Sequence, residues 1–185
     1  MALMGVIPRE LGNLTFLVSL DLGSNKFHGN LPQEMAHLHR LKFLDLSFNS
    51  FSGEVPSYFG FLHQLQVLKL GNNSFTGSIP SSFSNISKLE TLNLKFNSIE
   101  GQIPKEIRRL INLRVLNLRG IIPQEIGNLV NLVQLAMEDN QITGSVPSSI
   151  FNISSQQILS LALNNLKRIL TTGDWQLNHH ADSTD

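Results

Sequence analysis

The feature that most constrains how this chain folds is a sequence pattern that recurs about every 24 residues. Its clearest copy is residues 38–61, LHRLKFLDLSFNSFSGEVPSYFGF, where leucines at spacings of three, three and two precede an asparagine, an apolar residue, a glycine and an apolar–proline pair. A unit this short cannot bury its apolar side chains alone, so successive copies must stack into one solenoid. The copies begin at Leu14, Leu38, Leu62, Ile86, Leu110, Leu129 and Ile153.

Each copy predicts one short strand and a return path. In Leu44-Asp45-Leu46 the leucines should point into the core and Asp45 outward, because side chains alternate along a strand. Parallel strands from successive copies would then form one sheet along the concave side of the solenoid. On the return path, glycine permits a bend and proline starts a short helical or 3-10 turn on the convex side. The pattern therefore predicts an α/β solenoid.

An asparagine follows the last strand leucine (a methionine in one copy) by three positions in most copies. An amide side chain repeated at a buried turn should bond main-chain groups of neighbouring coils that otherwise lack partners. These predicted ladder asparagines are Asn25, Asn49, Asn73, Asn97, Asn140 and Asn164. Two residues after each comes a second apolar column: Phe27, Phe51, Phe75, Ile99, Ile142 and Leu166.

One copy breaks the pattern. The unit at 110–128 has 19 residues where the others have 24, and it lacks both the ladder asparagine and the next apolar position. We expect a strained or looped-out coil there, with locally reduced stability. We divide the chain into a partial first repeat (1–13), a solenoid of seven units (14–170) and a polar tail (171–185) that we predict to be disordered.

Composition excludes several classes of function. The formal net charge is zero, which argues against a nucleic-acid partner, and the absence of cysteine excludes disulfides and thiolate chemistry. The first residues make a poor signal peptide, and no apolar run is long enough to cross a membrane. Histidines, such as the pair His37 and His39, have no carboxylates at matching spacing. We therefore predict no enzyme activity, no cofactor and no metal site.

The consensus LxxLxxLxLxxNxFxGxIPxxFxx resembles the plant-specific class of leucine-rich repeats. Residues 77–107, GSIPSSFSNISKLETLNLKFNSIEGQIPKEI, and residues 120–132, GIIPQEIGNLVNL, carry the resemblance most closely. The chain is similar to the ectodomains of plant receptor-like kinases and receptor-like proteins, including pattern-recognition receptors. This resemblance implies a right-handed superhelix and an extracellular or plasma-membrane-associated location. The cysteine-paired N-terminal cap, transmembrane helix and kinase motifs of such proteins do not occur in this sequence.

In such receptors, ligands and co-receptors usually dock on the concave face or its rim, so the resemblance directs attention to the outward strand residues. These run from acidic through basic to acidic, which could align an extended peptide, with exposed Phe43, Val67 and Val115 as apolar anchors. The alternative is that they are ordinary solvated strand residues. The candidate ligand-binding residues are Asp21, Phe43, Asp45, Val67, Lys69, Thr91, Asn93, Lys95, Val115, Asn117, Arg119, Gln134 and Glu138.

Glycosylation acceptor motifs occur at Asn13, Asn72, Asn85 and Asn152. Three of them share one repeat position, just before the leucine that opens a unit, which fits sugars on an exposed flank of a secreted protein.

These observations favour a non-catalytic module that recognises a peptide or protein on its concave face, in immune or developmental signalling, with a co-receptor leucine-rich-repeat domain as a candidate partner. Two alternatives stay open: an inhibitor of cell-wall-degrading enzymes that resembles the polygalacturonase-inhibiting proteins, and a truncated receptor relic. Because end repeats without polar caps expose core leucines, we also expect self-association.

Overall fold

The computed structural model describes residues 2–138, 143–144 and 146–166. Its main element is a parallel seven-stranded sheet with one strand from each repeat unit. We call each repeat unit a coil and number the coils from the unit that begins at Leu14. The strands are Ser19–Asp21, Phe43–Asp45, Val67–Lys69, Thr91–Asn93, Val115–Asn117, Gln134–Ala136 and Ile158–Ser160. Strand order in the sheet follows chain order, which is the arrangement that stacked repeats require.

A second, shorter ladder runs beside the sheet, at the positions after the ladder asparagines. Its parallel strands are Met4–Gly5, Lys26–Gly29, Ser50–Glu54 and Ser74–Thr76, and a separate pair joins Thr143–Gly144 to Asn165–Leu166. Here the second apolar column stacks ring on ring: Phe27 lies 6.1 Å from Phe51, and Phe51 lies 6.3 Å from Phe75, between ring centroids.

The return paths are 3-10 helices, each directly after a proline; the first precedes the first coil, and the next six belong to the first six coils. They span Arg9–Asn13, Gln33–His37, Ser57–Phe61, Ser81–Asn85, Lys105–Arg109, Gln124–Asn128 and Ser148–Asn152. Between them and the sheet lies a single core, where the central leucines of the second to sixth strands and residues such as Met35, Phe59 and Phe83 are at most 1% exposed. Five-residue 3-10 helices on one side and strands on the other confirm the predicted α/β solenoid.

The ladder asparagines join neighbouring coils through both ends of their amides. Asn97 is typical: its Oδ1 accepts the amide of Phe75 at 3.0 Å, and its Nδ2 donates to Leu70 O and Leu94 O, each at 3.0 Å. Asn49 and Asn73 make the same three kinds of bond, Asn25 accepts the amide of Leu3, and Asn164 donates to Met137 O. Asn140, and the apolar position Ile142, lie outside the described residues.

The short fifth coil is not looped out, contrary to the expectation from its sequence. Its strand Val115–Asn117 pairs in register with both neighbouring strands, and its 3-10 helix is present. The five residues that this coil lacks correspond to the second ladder in other coils, and the ladder is reduced there to one bridge between Gln102 and Ile121. The chain keeps the strand and the helix because both pack against neighbours on two sides.

The shortened coil does leave one main-chain group without its usual acceptor. The amides of Phe27, Phe51 and Phe75 each donate to the asparagine of the next coil. Ile99 occupies the same position in the fourth coil and is 2% exposed, but the fifth coil lacks the ladder asparagine. The main-chain amide of Ile99 has no hydrogen-bond partner among the described residues. A buried amide without an acceptor typically lowers stability by about 1–3 kcal/mol.

Candidate functional site

The outward side chains of the seven-stranded sheet form two parallel columns. We use the name sheet face for these two columns together with the charged residues that stand two positions after a strand. Register is continuous from strand to strand, so residues from different coils become neighbours. One column is Ser19, Phe43, Val67, Thr91, Val115, Gln134 and Ile158, and the other is Asp21, Asp45, Lys69, Asn93, Asn117, Ala136 and Ser160. The structure thus brings the predicted site residues together on one surface.

The apolar residues of this face are less exposed than the sequence suggested. Phe43, Val67 and Val115 are all half-buried, which corrects the expectation that they stand in water. They pack along their column, because side chains directly opposite on paired strands lie about 5 Å apart. The ammonium group of Lys69 also lies 5.5 Å from the centroid of the Phe43 ring.

Most of the charges on the sheet face are paired within it. Lys69 Nζ lies 3.2 Å from Asp45 Oδ2, and Asp45 Oδ1 also accepts the amide and the hydroxyl of Ser47. Burial raises the pKa of the Asp45 carboxyl, but the hydrogen bonds from Ser47 and Lys69 outweigh it and hold the pKa below its usual value. The predicted run of alternating charge is therefore partly neutralised before any ligand arrives.

A second ion pair joins Lys95 to Glu138, which lie on the fourth and sixth coils. The hydrogen bond from Lys95 lowers the pKa of the Glu138 carboxyl, an effect that exceeds the opposing influence of burial. Among the described residues of the sheet face, Asp21 and Arg119 are then the charged side chains without an ion-pair partner. Asp21 is exposed, and Arg119 is half-buried with one contact, from Nη1 to Asn97 O at 3.4 Å.

The neutral polar residues of the face partly bond to one another. Gln134 Nε2 donates to Asn117 Oδ1 at 3.2 Å, and Asn93 Oδ1 accepts the amide of Lys95 at 3.1 Å. Thr91, like Asn93 and Asn117, is half-buried. The middle of the sheet face is consequently a polar surface, partly ordered by these hydrogen bonds, rather than a strip of charged side chains.

Sequence reasoning missed two aromatic residues at the rim of this face. Phe48 and Phe96 directly precede ladder asparagines, are 60% and 53% exposed, and have φ of 55°. Left-handed backbone costs on the order of 1–3 kcal/mol for a bulky residue, whereas asparagine and serine tolerate it better. Ser24, Asn72 and Leu163 occupy the same turn position in other coils, also at positive φ. The signal available in the sequence was a phenylalanine at a position where other copies carry Ser, Asn, Asp or Leu.

The glycosylation motifs fall into two settings. Asn13, Asn85 and Asn152 are exposed, each as the last residue of a 3-10 helix on the return side. Asn72 is half-buried at the rim, between Phe48 and Phe96, at a φ of 56°. The first three acceptor side chains therefore face solvent on the return side, whereas Asn72 does not share their position or their exposure.

Within the described ranges, no three His, Asp or Glu side chains approach closely enough to hold a metal ion. His28, His37, His39 and His63 are exposed, and of these four side chains only that of His63 forms a hydrogen bond, with 3.2 Å between Nδ1 and Asn85 O. No helix in this part of the chain is long and apolar enough to span a bilayer. The C-terminal pair His179-His180 lies outside the described residues.

Comparison with known proteins gives consistent results. Two family models described as leucine rich repeat match residues 63–120 and residues 16–38 and 40–62, together more than half of the chain. No curated protein matches significantly. Leucine-rich-repeat ectodomains are ligand-binding rather than catalytic folds.

Several solved plant receptor structures are similar over 89% of this chain. They include the plant peptide hormone receptor RGFR1 in complex with RGF2 (34% identity, TM-score 0.83) and a TDR receptor (36% identity, TM-score 0.86). A third is the Arabidopsis receptor kinase HAESA in complex with the peptide hormone IDA and the co-receptor SERK1 (34% identity, TM-score 0.85). The chain covers 31%, 30% and 29% of those chains, about a third of their length.

Proposed function

We propose, given that this chain belongs to the leucine-rich-repeat family and is of the plant receptor ectodomain type, that it is a non-catalytic module that binds a peptide or protein ligand on its sheet face. The observation that carries the proposal is the unbroken register of seven strands, which sets outward side chains in columns across successive coils. Such a surface is long, narrow and chemically varied, as an extended ligand requires.

The properties of the face support a peptide more than a small molecule. The middle of the sheet face is polar and half-buried, and Thr91, Asn93 and Asn117 are able to form hydrogen bonds with main-chain groups of an extended chain. Asp21 and Arg119, near opposite ends of the first five coils, add charge contacts that favour one ligand direction. The similar receptors RGFR1 and HAESA were solved with peptide hormones bound, which agrees with this choice.

The cellular role that follows is ligand recognition at the outer face of a plant cell, in immune or developmental signalling, with a second leucine-rich-repeat domain as a possible co-receptor partner. The HAESA structure contains the co-receptor SERK1. The short fifth coil does not argue against a working module, because the sheet face runs through it in register.

The test is selection of a random peptide library displayed on phage against the full chain. Enriched peptides are then assayed against Asn93→Arg, which places a bulky cation in the middle of the sheet face. The matched control is Gln124→Arg, at an exposed position on the 3-10 helix of the return side. We expect related peptides that bind the unmodified chain and Gln124→Arg but not Asn93→Arg. Absence of enrichment, or binding that only Gln124→Arg abolishes, overturns the proposal.

A further inference from the structure

A groove on the return side of the solenoid lies apart from the sheet face. It crosses the first four coils at the point where each coil passes from the second ladder into its 3-10 helix, and it encloses about 900 Å³. Three coil steps of about 4.8 Å give the groove a length of about 14 Å. A concave volume of this size is typical of a ligand site.

The groove opens because the third coil carries small residues where the second coil carries large ones. In the second coil, Glu54 reaches over the glycine of the next coil, so that a Cβ added to Gly77 would lie 3.2 Å from Glu54 Cγ. Ser78 holds the same repeat position in the third coil. It is too short to reach Gly101, where an added Cβ would have no atom of another coil within 4 Å. The space that Glu54 fills over one coil is therefore open over the next.

The second small residue is Ser82, at the second position of its 3-10 helix. The same position carries Tyr58 in the second coil and Glu106 in the fourth. The Ser82 hydroxyl donates to Ser57 O at 2.7 Å, which holds it against the main chain of the preceding coil. A side chain of the size of tyrosine is therefore missing from the third coil, and its place forms part of the groove.

The ring of Tyr58 is the aromatic part of the groove lining, and it is held at two points. Its hydroxyl donates to Leu31 O at 3.0 Å, and the ring lies edge-on to that of Phe59, with 5.3 Å between centroids. Burial, and to a lesser extent the charge of Glu34, raises the pKa of the Tyr58 hydroxyl, which therefore stays protonated and keeps this bond at neutral pH. The half-buried ring is thus an ordered apolar surface at the groove.

The groups that line the groove match a neutral ligand that is rich in hydroxyl groups. Its polar side chains are hydroxyls and amides together with the carboxylate of Glu54, and no cation is among the residues that line it. Ser78, Ser81 and Gln102 are exposed, and their side chains form no hydrogen bond with the rest of the described chain. A sugar offers hydroxyl groups to such partners and C–H faces to Tyr58 and to the prolines that begin the 3-10 helices.

An extended peptide matches the groove less well. The second-ladder strand Ser74–Thr76 is already paired with Ser50–Glu54 on one side, and on the other side Ser98 donates its amide to Phe75 O at 2.8 Å. No strand edge is therefore open there for the main chain of a peptide. The aliphatic side chains that line the groove are at most 8% exposed, so they belong to the core and offer no pocket for an apolar anchor.

We propose that this groove binds a neutral oligosaccharide, whose C–H faces pack on Tyr58 and whose hydroxyl groups bond to Ser78, Ser81 and Gln102. The site goes beyond the proposed peptide module, because none of these residues belongs to the sheet face. Hydrolysis of a glycosidic bond typically uses a pair of carboxylates, whereas Glu54 is the one carboxylate that lines the groove. The groove therefore binds the sugar without cleaving it.

The test follows the NMR signals of the full chain, prepared with 13C-labelled tyrosine, during titration with tetrasaccharides. Because Tyr58 is the only tyrosine of the chain, its ring signals report on the groove directly. Cellotetraose represents free glucan chains, and mannotetraose represents the mannose chains that glycoproteins carry. Tetragalacturonic acid is the charged control of the same length.

The variants fill the groove with residues that the second coil already carries. Ser82→Tyr repeats Tyr58 and Ser78→Glu repeats Glu54, so both changes fit the repeat. Ser149→Tyr is the matched control on the sixth coil, because the Ser149 hydroxyl also donates to a main-chain carbonyl of the preceding coil. Affinities of the unmodified chain and of the variants are measured by isothermal titration calorimetry.

We expect at least one neutral tetrasaccharide to shift the Tyr58 signals, and tetragalacturonic acid to bind more weakly. Ser82→Tyr and Ser78→Glu should each weaken sugar binding about tenfold, with Ser149→Tyr and Asn93→Arg unchanged. The neutral sugar that binds more tightly identifies the source of the ligand.

Failure of both neutral sugars to bind overturns the proposal, as do equal binding of the charged sugar and unchanged affinity in both groove variants. Selected library peptides that lose binding to Ser82→Tyr but not to Asn93→Arg also overturn it, because the groove is then a peptide site. Loss of the sugar site leaves the peptide module to its own test, since Asn93→Arg alters the sheet face alone.

Discussion

Lys95 and Glu138 form an ion pair that links the fourth coil to the sixth, across the short fifth coil. The fifth coil is five residues shorter than its neighbours. The second ladder is reduced there to one bridge between Gln102 and Ile121.

Restoring those residues should stabilise the protein. Insertion of Phe-Asn-Ser-Ile-Glu after Arg119 copies the fourth coil, returns the spacing to 24 residues and supplies an asparagine for the amide of Ile99. We expect the free energy of unfolding to rise by about 1–3 kcal/mol in urea denaturation. The control insertion, Phe-Ala-Ser-Ile-Glu, should give less. Equal effects of the two insertions would show that the Ile99 amide does not matter.

Removing a ladder asparagine should have the opposite effect. Asn97→Ala takes the acceptor from the amide of Phe75 and the donor from Leu70 O and Leu94 O, all inside the core. We expect a loss of about 2–4 kcal/mol, measured by urea denaturation. The comparison variant is Asn112→Ala, which removes one exposed bond to Ser87 O and should cost less than about 1 kcal/mol. Similar losses for both variants would contradict the ladder role.

Acid should destabilise the sheet face through its two paired carboxylates. The pKa values of Asp45 and Glu138 are lowered in the folded state by hydrogen bonds from Ser47, Lys69 and Lys95. A carboxyl group whose pKa is lower in the folded state than in the unfolded state, where it is about 4, stabilises the fold at pH values above the unfolded pKa. That stability is lost as the pH falls through the folded pKa. We expect urea midpoints to be steady between pH 7 and pH 5 and to fall toward pH 3. The double variant Asp45→Asn, Glu138→Gln should fall less; a parallel decline would exclude these groups as the cause.

Glycosylation should distinguish the exposed acceptors from the one at the rim. For the chain exported from plant cells, we expect sugars on Asn13, Asn85 and Asn152, seen as a mobility shift on glycosidase treatment that Asn→Gln changes reduce stepwise. Asn72→Gln should leave the shift unchanged, because Asn72 is half-buried in a tight turn. Occupancy at Asn72 would contradict exposure as the property that decides which acceptors carry sugars.

The sequence by itself determined the repeating part of this protein. Leucine spacing within one unit decides which side chains point inward, and the recurrence of that unit decides that strands stack in parallel, because no unit can bury its leucines alone. The ladder role of residues such as Asn97 followed from the same local repetition. The outward columns of the sheet face, including Asp45 and Lys69, were predictable for the same reason.

Only the tertiary structure decided which side chains of different coils contact one another and how the turns between strands are held. The half-burial of Phe43 depends on its column neighbours, and the pairing of Lys95 with Glu138 joins residues 43 positions apart. The left-handed backbone at Phe48 is imposed by a turn that packing and Asn49 hold in place, against the preference of the residue itself. The short coil stays in register because two neighbouring coils pair with its strand, a constraint that exists only once the coils are stacked.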